Sequence, residues 1–362
     1  MKVLFWTDGF WPRTGGIETQ AFEFIKGMQQ RGHDYRVIAQ QDSPKDKEYE
    51  IYEGIPIQRF TFSIIQQDLS YLRRIQNEVQ GLMNEFQPHI IHLNACAGLG
   101  VLVFLLLKEM FRCPIILTLH APFFYESQNP FLAQIAAVSC HIFCVSQWVL
   151  DETKKLIPTA LPKLQLIYNG LSLPSHLPTA LPFSPPVLLL LGRLSPEKGF
   201  ETAIQAFSYL KNSGSSARLI IAGGGQERPL LESLVHQLKL QDAVHFTGEL
   251  EREQGRMWIN QATLMLVPSY FESFGLVALE AMHMQRPVIA SRIGGLQEVI
   301  LDNQTGFLVP PHDPLALYHK IELLLNQPDR AIEMGLQGYK RATEHFTLKQ
   351  NMMAYEEALC RL

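Results

Sequence analysis

The chain has 362 residues, 47% hydrophobic and 18% charged, with a net charge of -4. That length exceeds one ordinary core and points to two domains. The composition excludes extended disorder, and the near balance of charge gives no sign of a nucleic-acid surface. Cys96, Cys113, Cys140, Cys144 and Cys360 form no CxxC pair and are odd in number, so no disulfide framework or structural zinc site is indicated. A reducing cytoplasm is the expected location.

"MKVLFWTDGF" opens at once on a strand-like run without the basic and then apolar regions of a signal peptide, so the fold is expected to start at Met1. "PRTGG" then turns, and "IETQAFEFIKGMQQRGH" carries apolar residues at helical spacing until Gly32. "YRVIAQ", "HIIHLN", "PIILTLH", "HIFCVS" and "LQLIYN" read as further strands, several separated by helical segments, which is the pattern of a parallel sheet wound with helices. "GLGVLVFLLL" is about half the length a bilayer needs and reads as a buried helix, while peripheral membrane contact stays open. Cys140, His141 and Cys144 lie in an apolar segment, where cysteine is more often a small core residue than a ligand.

Proline crowds the chain from Leu173 to Pro186, and the domain linker is placed there. The alternation then restarts with "VLLLLG", "EKGFETAIQAFSYLK", "RLIIAG", "RPLLESLVHQLK", "VHFTG", "LMLVPS", a helix from Phe274, and "PVIAS". Two doubly wound domains are expected, over 1–178 and 179–345, with an amphipathic segment over 346–362 packing back on the first. In such sheets ligands sit beyond the carboxyl ends of the strands, so a shared ligand would lie in a cleft between the domains.

Several strand ends carry chemistry. Gly15 and Gly16 let backbone approach a ligand at a helix start, although the full G-x-G-x-x-G and an acid at the end of "YRVIAQ" are missing, which disfavours a nicotinamide dinucleotide. Arg193 and Lys198 in "GRLSPEKGF" suit a diphosphate, one by forked hydrogen bonds and the other as a point charge. The glycines Gly223, Gly224 and Gly225 leave room for either neighbouring backbone or a ligand. In "ESFGLVALE", the amides around Phe274, Gly275 and Leu276 would form an anion site at a helix start. Glu272 and Glu280, placed before the helix and about two turns into it, each match a vicinal diol, because a carboxylate has two accepting oxygens. A solvated glutamate or a plain ion pair is the competing reading.

The order "GGIE", "LTLH", "GRLSPEKG", "IAGGG", "HFTG", "VPSYFESFGLVALEAM" and "IGGLQEVI" resembles the retaining glycosyltransferases of family 4, over nearly the whole chain and most densely from Val187 to Pro314. The resemblance implies a GT-B fold, α/β, with two Rossmann-like domains facing each other across a cleft that closes over the donor. It implies that Glu272 contacts the donor sugar, Glu280 the ribose, and Arg193 and Lys198 the diphosphate. Phe274, Gly275 and Leu276 would add amides, Gly16 would approach the donor phosphate or the acceptor, Gly223 would approach the donor, and His120 would stand near the transferred sugar. Transfer of a hexose to a hydroxyl acceptor follows, with a UDP sugar favoured and GDP-mannose the alternative, and no metal or other cofactor. The sequence does not identify the acceptor, which would be a saccharide, a lipid-linked group or a small molecule, and the enzyme would work in the cytoplasm or at the inner face of the membrane.

Gln285 stands where the family pattern leads us to expect a glycine, "NGLSLP" lacks an acid often found there, and His89 and Asn94 replace an acid and a histidine. A sugar-nucleotide epimerase or phosphorylase and a non-catalytic nucleotide-sugar binder remain as rival readings. A glycosidase is disfavoured, since Glu272 and Glu280 flank a single helix start.

Overall fold

The computed structural model describes residues 1–13, 15–43, 45–63, 68–94, 99–121, 130–174 and 178–361. Cys96 and Thr14 of the "PRTGG" turn lie outside them. The chain forms two compact units, Met1–Gly170 with Leu348–Leu362, and Leu171–Thr347.

In the first unit the elements are β1 (Lys2–Thr7), α1 (Gly16–Gln30), β2 (Asp34–Gln40), β3 (Tyr49–Tyr52), β4 (Ile55–Phe60), α2 (Leu69–Phe86) and β5 (Ile90–Asn94). They continue through α3 (Leu99–Leu107), β6 (Ile115–Leu119), α4 (Pro130–Val138), β7 (His141–Cys144), α5 (Gln147–Leu156) and β8 (Leu164–Leu166). Among the described residues the sheet order is β3-β4-β2-β1-β5-β6-β7-β8, parallel except for the antiparallel β3–β4 pair. That hairpin has no counterpart in the sequence reading. Its signal was present in "YEGI", where Glu53 and Gly54 both take positive φ, as the two central residues of a tight hairpin require.

The second unit runs through β9 (Val187–Leu191), α6 (Phe200–Asn212), β10 (Arg218–Ala222), α7 (Arg228–Gln237), β11 (Val244–Gly248), α8 (Arg252–Gln261) and β12 (Leu264–Val267). It ends with α9 (Leu276–His283), β13 (Val288–Ser291), α10 (Leu296–Val299), β14 (Gly306–Val309), α11 (Pro314–Asn326) and α12 (Pro328–His345). The order β11-β10-β9-β12-β13-β14 is doubly wound, reversing direction between β9 and β12. Near-continuous apolar strands such as "VLLLL" are buried because helices cover both faces of a parallel sheet.

The last helix, α13 (Leu348–Leu359), belongs to the first unit. Met352, Tyr355, Ala358 and Leu359 join the core formed by Val3, Phe24 and Ile25. Arg31 at the end of α1 fixes it further through a hydrogen bond to Glu356 of 2.8 Å.

The division at Gly170 and Leu171 falls before residue 178, where the sequence reading places it. Arg286 is fully buried and donates to the Thr179 carbonyl at 2.5 Å, the Ala262 carbonyl at 3.2 Å and Asn260 Oδ1 at 2.9 Å. Thr179 also donates its backbone N–H to Asn260 Oδ1 at 2.9 Å, so this part of the proline-rich stretch is clamped to the second unit. Burial lowers the Arg286 pKa to about 10.

Gln285 has φ +57, the left-handed conformation that its position after α9 demands. Arg286 donates to the Ala281 carbonyl at 2.9 Å and Gln285 to that of Met282 at 3.0 Å, the paired bonds that close a helix on a left-handed residue. A side chain costs energy in that conformation. Gln285→Gly is therefore expected to stabilise the protein by about 0.5–1 kcal/mol, the strain relieved less the added freedom of the unfolded chain. An unchanged urea midpoint would show that the side chain adds no strain.

Candidate functional site

In the second unit Arg193 and Lys198 follow β9 and Glu272 follows β12, the neighbouring strands between which the order reverses. Arg193 follows β9 and is exposed. Lys198 precedes α6, although the sequence reading includes it in the segment "EKGFETAIQAFSYLK". It ends a short 3-10 turn, Pro196–Lys198, and Gly199 at φ +61 separates that turn from α6. A Cβ on Gly199 would come well inside 3.0 Å of the Pro268 carbonyl oxygen, so only glycine lets the two loops meet. Tyr270 fastens them: its N–H donates to the Glu197 carbonyl at 2.7 Å, its hydroxyl donates to Glu201 Oε1 at 2.6 Å, and that hydroxyl lies 2.7 Å from Thr202 Oγ1.

This clamp brings Lys198 Nζ to 2.7 Å from Glu272 Oε2, with the side chains 27% and 16% exposed. The turn from Glu272 to Gly275 is backed by Gly295, whose N–H donates to the Glu272 carbonyl at 3.0 Å. A Cβ on Gly295 would overlap the Ser273 carbonyl. Helix α9 begins at Leu276 instead of Phe274, because Gly275 takes φ +100 and Phe274 turns inward, 2% exposed, with its ring 5.6 Å from that of Phe346. No side-chain hydrogen bond caps the helix. Its first turn therefore presents backbone N–H dipoles beside Glu272 and Lys198.

Glu280 lies about one turn inside α9, not two. Burial pushes its pKa above the usual carboxylate range, opposed by the charges of Arg252 and Arg256 on α8. Arg252 has its own pKa lowered to about 10, by burial first and then by Arg256. These arginines were missed, although their spacing of four in "REQGR" places both on one helix face. Gly223 has φ +136, and its open side is filled by neighbouring backbone: a Cβ would overlap the Gly192 carbonyl oxygen. One on Gly225 would meet that of Leu194. Packing of the Arg193 loop is thus a sufficient reason for those two glycines.

Gly16 and His120 belong to the first unit. Gly16 is the exposed first residue of α1, after the N-cap Gly15, and no side chain caps that helix. His120 follows β6 and donates Nε2–H to Asn94 Oδ1 at 2.8 Å, with Asn94 at the end of β5. Beneath it, His92 Nε2 lies 2.7 Å from Thr118 Oγ1, which lies 2.7 Å from the Tyr355 hydroxyl. Burial lowers the pKa of His120 to about 4, and burial with the neighbouring His120 lowers that of His92 to about 3, so both are neutral at pH 7.

Because the unfolded chain binds these protons near the ordinary value of 6.5 and the folded chain does not, their contribution to stability is full above 6.5. It is lost as pH falls from there toward 4 and below. Unfolding free energy should therefore drop between pH 6.5 and 5, less steeply in His92→Gln. A flat profile in the parent protein would contradict this assignment.

Residues 178–341 match the family model described as glycosyl transferases group 1, and residues 14–173 that described as Glycosyltransferase Family 4. An uncharacterized glycosyltransferase of Methanocaldococcus jannaschii is 26% identical over 355 residues, covering 90% of this chain and 89% of that one. Other curated glycosyltransferases match in part, the chain spanning about half of their length. The fold is similar to that of sucrose-phosphate synthase from Thermosynechococcus elongatus, with TM-score 0.85, 23% identity, and 100% and 99% of the two chains covered. It is also similar to Anabaena HepE, solved with UDP-glucose, with TM-score 0.81, 19% identity and 100% of both chains covered.

Proposed function

Since the chain belongs to glycosyltransferase family 4 and is a glycosyltransferase of GT-B type, we propose that it moves a hexose from a nucleoside diphosphate sugar to a hydroxyl acceptor, with retained anomeric configuration and no metal. The observation that carries this reading is the Lys198–Glu272 pair of 2.7 Å beside the start of α9, at the reversal of strand order. An ammonium and helix N–H dipoles suit a diphosphate, and an adjacent carboxylate suits the hydroxyls of the sugar that it bears.

In this reaction the bond from the anomeric carbon to the phosphate oxygen breaks, leaving negative charge on the diphosphate. Arg193, Lys198 and the first turn of α9 stabilise that charge. The acceptor hydroxyl passes its proton to the departing phosphate and bonds the same face of the sugar. Glu272 orients the hexose and Glu280 the ribose. Neutral His120, with Nε2–H committed to Asn94, has Nδ1 left as its acceptor atom. A UDP sugar is the favoured donor, as in the structure of HepE with UDP-glucose.

A thermal-shift panel of UDP, GDP and ADP sugars identifies the donor, because a ligand that binds only the folded state raises the melting temperature. Release of nucleoside diphosphate should then depend on added saccharide, lipid-linked or small hydroxyl acceptors. Interconversion of the donor without release would favour an epimerase instead. Because Glu280 must be ionised to accept ribose hydroxyls and its pKa is raised, donor affinity should begin to fall at a higher pH on acidification than an ordinary glutamate would give. Glu280→Gln should remove that pH dependence along with much of the affinity. Persistence of the same dependence in the variant would exclude Glu280 as its source.

A further inference from the structure

The contact between Lys198 and Glu272 sets two groups with different expected ligands against each other. Both are partly withdrawn from water, and each is the other's neutralising charge. The loops carrying them are fixed by Gly199 and Tyr270, so the pair is built into the fold and is not a chance meeting of mobile side chains. A diphosphate at the start of α9 competes with Glu272 for the Lys198 ammonium.

Resting on the nucleotide-sugar reading, we propose that Glu272 is a latch on Lys198 that makes the site distinguish a sugar-bearing diphosphate from a bare one. When the anion draws Lys198 away, Glu272 loses its counter-charge. A donor restores the balance, because its sugar hydroxyls replace the ammonium on the carboxylate. A diphosphate without sugar takes Lys198 and leaves Glu272 half-buried and unpaired, which weakens its binding. The spent nucleoside diphosphate is thereby favoured to leave, and the empty pair to close again. Glu272 so acts as a specificity residue for the presence of the sugar in addition to holding it.

Inorganic pyrophosphate tests the latch without knowledge of base or sugar, by calorimetry on the full-length protein, Glu272→Gln, Lys198→Met and the double variant. Glu272→Gln should bind pyrophosphate about fivefold more tightly than the parent, the scale of a partly exposed ion pair. In the Lys198→Met background the same change should gain less than about twofold, since no latch remains to be released. An equal gain in both backgrounds would show plain repulsion by Glu272 and overturn the latch while leaving the anion site intact. Unchanged affinity in Lys198→Met would instead overturn the underlying reading. With UDP and UDP-glucose as probes, the preference for the sugar-bearing ligand should shrink in Glu272→Gln, and an undiminished preference would refute the proposal.

Discussion

Lys198→Ala should lower kcat/KM for the donor by about ten- to a hundredfold, because a hydrogen bond to a charged group contributes about 1.5–3 kcal/mol. The size follows from how firmly the lysine is placed. The 3-10 turn, left-handed Gly199 and the Tyr270 clamp fix the backbone that carries Lys198 before any ligand arrives, so only its side chain has to move from Glu272 when the diphosphate binds. Transition-state charge builds on the same diphosphate, so kcat should fall together with donor affinity. Initial rates at varied donor concentration check this. Kinetics equal to those of the parent would remove Lys198 from the site.

The largest effect on stability is expected from Gly223→Ala. Gly223 combines φ +136 with a position where a Cβ would overlap the Gly192 carbonyl, and its own N–H donates to the Gly248 carbonyl at 2.9 Å. The strain cannot be relieved by rotating a side chain, since the opposing atom is backbone, and β9 and β10 would have to separate at their ends. A loss of more than about 3 kcal/mol is expected, above the ordinary cost of a core substitution. Gly214 is the matched control: φ is +86 and nothing lies within 4 Å of a Cβ, so Gly214→Ala should cost only about 1–2 kcal/mol. Denaturant titrations of the two variants check the contrast. Equal losses would mean that the approach of the Gly192 loop is not the constraint.

The alternation of apolar runs with amphipathic segments made the two parallel sheets legible, because strands covered on both faces must be apolar throughout. The placement of Arg193, Lys198 and Glu272 at strand ends was legible for the same reason. The β3–β4 hairpin was not found, since Glu53 is an unusual residue to carry positive φ and the "EG" turn is a weaker mark than "NG". Helix starts were placed early, at Glu197 in "EKGFETAIQAFSYLK" and at Phe274, because the glycines that delay them, Gly199 and Gly275, answer to contacts distant in sequence. Arg252, Arg256 and Arg286 carry no signal in the sequence that separates them from ordinary exposed arginines. Only the packing of α8 beside α9, and of Thr179 against Asn260, turns them into partners of buried groups.

A crystal structure of the protein with the nucleotide sugar that shifts its melting temperature most would test the central claim directly. The diphosphate is predicted against Arg193, Lys198 and the first turn of α9, with Glu272 accepting hydrogen bonds from the hexose and Glu280 from the ribose. Density for the nucleotide sugar elsewhere on the second unit, with Lys198 still paired to Glu272, would contradict it.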